Sequence, residues 1–239
     1  MTLRHLRLIA VNIDGVLLND TFSPVIHRYT VRRGRTYTAQ LEHAVLSRPQ
    51  LTAAAALGGE DSPQEVIRAY FREREQYLEE HPVHLLDGAG ALLDRLRTLG
   101  THLICYGGLK RPHFERHLAP YTTHFDEPRY ICTDQIRPGI REITEDIFHL
   151  RCDQALFIDD AAHVAETARS LGAAFIGHPT TFEHSFQEQL MRQAGVRHLT
   201  HTLHHINETL LHTIDTEAAN GHTWPPPHTT PHTTQQTTR

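Results

Sequence analysis

Apolar positions along the chain fall into short runs separated by longer segments with helical spacing. Residues 6–11 form an apolar run that leads to Gly15, which reads as a buried strand entering a loop. Similar runs recur at 102–106 (HLICY), 130–132, 155–158 (ALFI) and 173–176 (AAFI). Runs without polar alternation are typical of strands covered on both faces, as in parallel sheets. Between them, residues 89–99 place Leu92, Leu93, Leu96 and Leu99 on one helical face before Gly100, and residues 162–171 repeat the arrangement before Gly172. Strands alternating with helices of this length imply right-handed βαβ units and an α/β fold built on a doubly wound parallel sheet.

The stretch 20–82 carries no strand pattern and reads as an inserted helical domain. Its second half, 63–80, has strong helical composition, with Asp61 or Ser62 as the N-cap. After about residue 215 apolar residues thin out and Pro, Thr and His dominate, the composition of a disordered tail. The expected organisation is therefore a core formed by 1–19 and 83–215, a helical cap over 20–82, and a tail over 216–239.

Composition narrows the function. At 239 residues, with 39% hydrophobic and 21% charged residues, the chain can bury a large soluble core. No apolar stretch approaches the roughly 20 residues that span a bilayer, and the N-terminal run lacks a small-residue cleavage site, so no membrane partner is expected. A net charge of −5 gives no reason to expect nucleic acid, because binding a phosphate backbone needs clustered Lys and Arg. Cys105, Cys132 and Cys152 are widely spaced single cysteines, which points away from disulfides and cysteine zinc sites and toward a reducing cytoplasm. Histidine is abundant, at 21 residues. His222, His228 and His232 in the tail, and His198, His201, His204 and His205 before it, open a metal-handling alternative; His201 and His205 share a face if that segment is helical. The plainer reading of both groups is solvated surface.

Candidate chemistry follows the strands, because open parallel sheets hold their sites in the crevice outside the strands' carboxyl ends. After the first strand comes Asn12-Ile13-Asp14-Gly15, and after ALFI come Asp159 and Asp160. Acidic groups at the ends of two parallel strands could share a hard cation such as Mg²⁺, although Asp and Asn are also common turn residues.

These segments resemble the four motifs of the haloacid dehalogenase-like (HAD-like) superfamily over about residues 5–190. VNIDGVL matches the first motif except that Asn12 stands where the family has its nucleophilic Asp. LFIDDAAHVAETARSLG is similar to the fourth motif, whose acidic residues bind Mg²⁺. THLICYGGLKRPHFERHL takes the place of the second, with Tyr106 at the hydroxyl position and Gly107 beside it, and ICTDQIRPGIREITEDIF takes the third, with Arg137 in place of lysine.

The resemblance implies a HAD-like Rossmannoid core with a C1-type helical cap. It implies Asp14 as general acid or base beside a non-nucleophilic Asn12, Tyr106, Gly107 and Arg137 as phosphate contacts, and Asp14, Asp159 and Asp160 as ligands of a weakened Mg²⁺ site. A neutral carboxamide is a poor nucleophile, so departures at three motifs together imply a repurposed or inactive hydrolase, a pseudoenzyme that binds a small anionic ligand or a protein partner. The enzyme alternative is a Mg²⁺-dependent phosphatase-type hydrolase using Asp14 and Asp160. Arg28, Arg32, Arg33 and Arg35 are further candidates to meet an anion from the cap. The six residues Asn12, Asp14, Tyr106, Arg137, Asp159 and Asp160 are expected to line one crevice beneath it.

Overall fold

A computed structural model describes residues 2–59 and 61–226. Six strands, β1 (Leu8–Asn12), β2 (His102–Gly107), β3 (Tyr130–Cys132), β4 (Ala155–Asp159), β5 (Ala174–Gly177) and β6 (His198–Leu199), form one sheet in the order β3-β2-β1-β4-β5-β6. Every pairing is parallel. Five strands lie within two residues of the apolar runs. The two-residue β6 is too short to register as a run.

Successive side chains along β1 point to opposite faces, so Ile9 and Val11 enter one core while Leu8 and Ala10 enter the other. Helices α5 (Ala89–Arg97), α6 (Arg111–His117) and α9 (Glu208–Ala219) contribute Leu92, Phe114 and Ile214 to the first face. Helices α7 (Ala162–Leu171) and α8 (Gln187–Ala194) contribute Ala165 and Met191 to the second. With both faces covered, the ends of the central strands are left open, and β1 and β4 lie side by side there, pairing Val11 with Ile158.

The segment between β1 and α5 is helical, as expected: α1 (Ser23–Arg32), α2 (Ala39–Val45), α3 (Gln50–Gly58) and α4 (Pro63–Glu80). These helices enclose a small core of their own around Ile26, Tyr29, Val45, Leu57 and Val66. Ser62, not Asp61, caps α4, in a reciprocal capping box with Glu65. The four arginines of residues 28–35, candidates for an anion contact whose plainer reading is solvated surface, are engaged within the insertion. Arg28 and Arg32 both bind Glu73, Arg33 binds Asp61 and lies over the Tyr29 ring, and Arg35 donates to the Leu57 carbonyl.

The C-terminal boundary also moves. Helix α9 runs to Ala219, and its buried Asp215 accepts the backbone N–H groups of Arg4, His5 and Leu6 at 2.9, 3.0 and 2.8 Å, tying α9 to the segment before β1. Beyond it, Trp224 packs beside Phe175 and donates its indole N–H to the Ala173 carbonyl at 2.8 Å. An amphipathic ring inside an otherwise polar segment is enough to dock it. Trp224→Ala should therefore destabilise the protein by about 2 kcal/mol, through lost packing and an orphaned carbonyl. A thermal melt coinciding with wild type would show that Trp224 is not an anchor. His228 and His232 lie outside the described residues. Among the described residues, no helix is long and apolar enough to cross a membrane.

Candidate functional site

Asn12 is the last residue of β1, and the chain turns sharply after it. Gly15 has φ +83°, and a Cβ there would lie 2.0 Å from Asp160 Oδ2, so only glycine lets the β1 loop approach the end of β4. That approach brings the motif residues together. The Asn12 amide nitrogen donates to the Asp14 carbonyl at 2.9 Å and to Asp160 Oδ1 at 3.0 Å. Its Oδ1 is buried without a hydrogen-bond partner.

The other acidic groups are also engaged. Asp14 Oδ1 lies 2.8 Å from His113 Nε2, on α6. Asp159, 1% exposed, accepts from the Tyr106 hydroxyl at 2.5 Å and from the Ala161 N–H at 2.8 Å. Burial pushes the Asp159 carboxyl up to about 6, against those two hydrogen bonds and Arg137, and pushes Asp160 up as well, reinforced by the neighbouring Asp159 charge. Tyr106 is pushed up by burial and by Asp159, which keeps its hydroxyl a donor. His178, just past β5, meets the Gly15 carbonyl through Nδ1 at 3.0 Å, and burial lowers its pKa, favouring the neutral ring.

Above the strand ends, a cavity of about 120 Å³ lies between the core and the helical insertion. Asn12, Asp14, Arg137 and Asp160 line its floor, and its roof is mostly apolar, including Phe22, Ile26, Leu57, Val66 and Phe71.

No family model and no curated protein matches this sequence. Solved structures do match its shape. A HAD hydrolase of family IA, variant 3, from Entamoeba histolytica superposes with a TM-score of 0.64 at 16% identity, covering 88% of this chain and 100% of that one. A conserved haloacid dehalogenase-like protein of unknown function from Agrobacterium tumefaciens gives 0.62 at 16% identity over 87% and 99% of the two chains. A hydrolase from Pseudomonas syringae gives 0.62 at 15% identity over 86% and 98%. This chain has the HAD-like fold.

Within that HAD-like frame, four of the six residues expected to converge do line the cavity, and two do not. Tyr106 and Asp159 are absent from its lining and bond to each other instead. The reason is register: Tyr106 pairs with Asn12 inside the sheet, 2% exposed, and its ring packs edge-on to Phe157 in the core beneath the strand ends. Its hydroxyl is therefore not the phosphate contact that the second motif implies. Gly107 does not line the cavity either, its carbonyl accepting from Thr133 N at 2.8 Å, but Gly108 does. A Cβ at Gly108 would lie 2.7 Å from Arg137 Nη2, so the guanidinium rests directly on the backbone past β2. No carboxylate of the described residues pairs with Arg137, which leaves its donors free for an anion.

His113, Arg48 and Asp134 escaped the sequence reading. Arg48 and Asp134 line the cavity from loops, and His113 reaches Asp14 from the first turn of α6. Of the three, only His113 had an available signal, its place just past the end of β2. The histidines singled out before the tail do not group. His201 is not in a helix, and His198, His201 and His204 each face a separate carboxylate, Glu217, Glu188 and Asp87.

For the Mg²⁺ that the motif resemblance implies, the observed arrangement leaves no opening between Asn12 and Asp160. A hard cation between Asn12 and Asp160 needs oxygen lone pairs, yet the Asn12 N–H protons occupy that space. Turning the amide over would give up both hydrogen bonds and aim Asn12 Oδ1, the Asp14 carbonyl and Asp160 Oδ1 at one point, so a cation would bind there only at the cost of those bonds. Asp14 and Asp159 are likewise already partnered.

Proposed function

We propose that this HAD-like protein binds a ligand with an anionic, phosphate-type end and an apolar body in the cavity beneath the insertion, without forming an aspartyl-phosphate. The observation that carries this reading is the Asn12 amide bonded to Asp160 and to the Asp14 carbonyl. A carboxamide is no nucleophile, and here it also replaces a cation as the group that offsets the Asp160 carboxylate. Arg137 supports the anionic end, since its fork can bind phosphate through two parallel N–H groups. The apolar roof supports the body, which removes carbon surface from water at about 25 cal/mol per Å². Any remaining Mg²⁺ affinity has to displace the Asn12 hydrogen bonds.

A second reading, a hydrolase in which Asp14 activates water, draws on the 2.8 Å contact of Asp14 with His113, a partner that could hold the carboxylate ready as a base. One set of measurements separates the two. With an alkyl phosphate as probe, calorimetry should find binding to wild type that weakens about tenfold or more in Arg137→Ala, with no turnover in excess Mg²⁺. Robust turnover lost in Asp14→Asn would favour the hydrolase, and equal binding by Arg137→Ala would remove the proposed anion contact.

A further inference from the structure

Outside that site, one group of side chains among the described residues has metal-ligand chemistry. His43, on α2 of the insertion, places Nε2 2.9 Å from both carboxylate oxygens of Glu166, on α7 of the core. His163, one turn before Glu166 on the same helix, holds Nδ1 3.6 Å from Glu166 Oε2. That nitrogen is buried and has no hydrogen-bond partner. One ligand atom from each residue lies within 4.8 Å of the other two, and the imidazole rings stand 5.9 Å apart at 73°.

We propose that His43, His163 and Glu166 bind a transition-metal dication of the Zn²⁺ class and that the ion ties the helical insertion to the core at the rim of the cavity. Two imidazole nitrogens and one carboxylate are a zinc ligand set that leaves a fourth position for water. In tetrahedral geometry such ligand atoms sit roughly 3.4 Å apart, so the observed spacings need only small side-chain movements. Nitrogen donors select Zn²⁺ over Mg²⁺. Without an ion, His43 and Glu166 satisfy each other, but His163 Nδ1 has nothing to bond. An ion gives that orphaned lone pair a partner. Burial and the nearby Arg48 charge also lower the His163 pKa, which keeps the ring in its ligating neutral form.

Position gives the site its consequence. Val45, Leu46, Ser47 and Arg48, at and just after the end of α2, line one wall of the cavity, and Asp160 and Ala161, just before α7, line another. The neighbouring Glu42 already docks α2 on the core through Ser185 Oγ and Phe186 N, both at 2.6 Å. A metal beside it would be a second tie across the same seam, whatever the cavity holds.

The test uses full-length protein stripped with chelator, in a variant carrying His222→Ala, His228→Ala and His232→Ala to remove background sites. Titration with Zn²⁺ should find one tight equivalent, weakened at least tenfold by Glu166→Gln or by His163→Ala. Co²⁺ should give the intense visible bands of a tetrahedral site, lost in the same variants. Zn²⁺ should slow amide exchange in α2 of the parent and leave it unchanged in Glu166→Gln. Glu166 is 43% exposed and glutamine keeps its shape, so this variant should fold, which circular dichroism checks. Affinity unaffected by Glu166→Gln would overturn the site. Binding without an effect on α2 exchange would overturn the tie.

Discussion

Asn12→Asp should make the stability of this protein depend on Mg²⁺. The substitution exchanges an amide donor for a second carboxyl about 3 Å from Asp160 Oδ1, where like charges repel unless a proton or a cation lies between them. It also leaves the Asp14 carbonyl without its donor. A buried group stripped of its partner costs about 3 kcal/mol, more when it is charged. For a chain of this size that is a fall of about 6–12 °C in melting temperature in metal-free buffer at neutral pH. Excess Mg²⁺ should reverse most of it, because an ion that binds only the native state stabilises it by about 2.7 kcal/mol at a hundredfold excess over its Kd.

Asn12→Ala serves as the control. It loses the same hydrogen bonds but gains no ligand, so it should melt low with or without Mg²⁺. If Asn12→Asp melts with wild type and ignores Mg²⁺, the amide does not stand in for a cation. The exchange of Tyr106 for a threonine hydroxyl, which motif matching alone would suggest as a companion change, should harm the protein instead. It would remove the donor that Asp159 needs in the core.

Asp159→Asn should stabilise the protein at neutral pH and flatten its acid profile. Burial lifts the Asp159 carboxyl from 3.8 to about 6, so between those values the native state holds a proton that the unfolded chain has released. The associated stability is fully present below pH 4 and is lost as pH rises through about 6. The gap of about two pH units corresponds to on the order of 3 kcal/mol at 1.36 kcal/mol per unit. Asp160 shifts in the same direction and adds to the slope.

Asparagine keeps the acceptor for Ala161 N–H and can donate to the Tyr106 oxygen, while never paying a charge's desolvation. Denaturant melts across pH 4–8 should therefore show wild type losing stability as pH rises through 6, and Asp159→Asn losing much less. Tyr106→Phe should do the opposite, weakening the protein more at pH 7.5 than at pH 4.5, where the carboxylic acid has less need of a donor. An Asp159→Asn variant equally unstable at both pH values would assign this residue to packing alone.

Much of the fold was legible along the chain because it is written in local chemistry. The apolar runs mark β1 to β5, the Leu92–Leu93–Leu96 stripe marks α5, Gly172 stops α7, and Ser62 with Glu65 starts α4. The approach of the β1 and β4 ends was legible for a related reason. Parallel strands covered on both faces leave only their ends for polar residues, so Asn12, Asp14 and Asp160 had to gather there.

Tertiary structure decided what each of those residues does. The register of β2 turns Tyr106 inward to Asp159, while Gly108 and Arg137 lie at the cavity floor. Helix α6 carries His113 to Asp14 across 99 positions of sequence, and the docking of α2 on α7 sets His43 beside Glu166 across 123. Trp224 anchors a segment whose composition reads as tail, through one ring and one N–H. Periodicity and turn residues are properties of a few neighbours, so the sequence by itself determined β1 to β5, the helices α4, α5 and α7, their alternation and the end of the sheet at which polar groups collect. Partner choice depends on the direction of each side chain and on a contact made after the elements pack, which is why only the folded chain places the Asn12 amide against the Asp160 carboxylate.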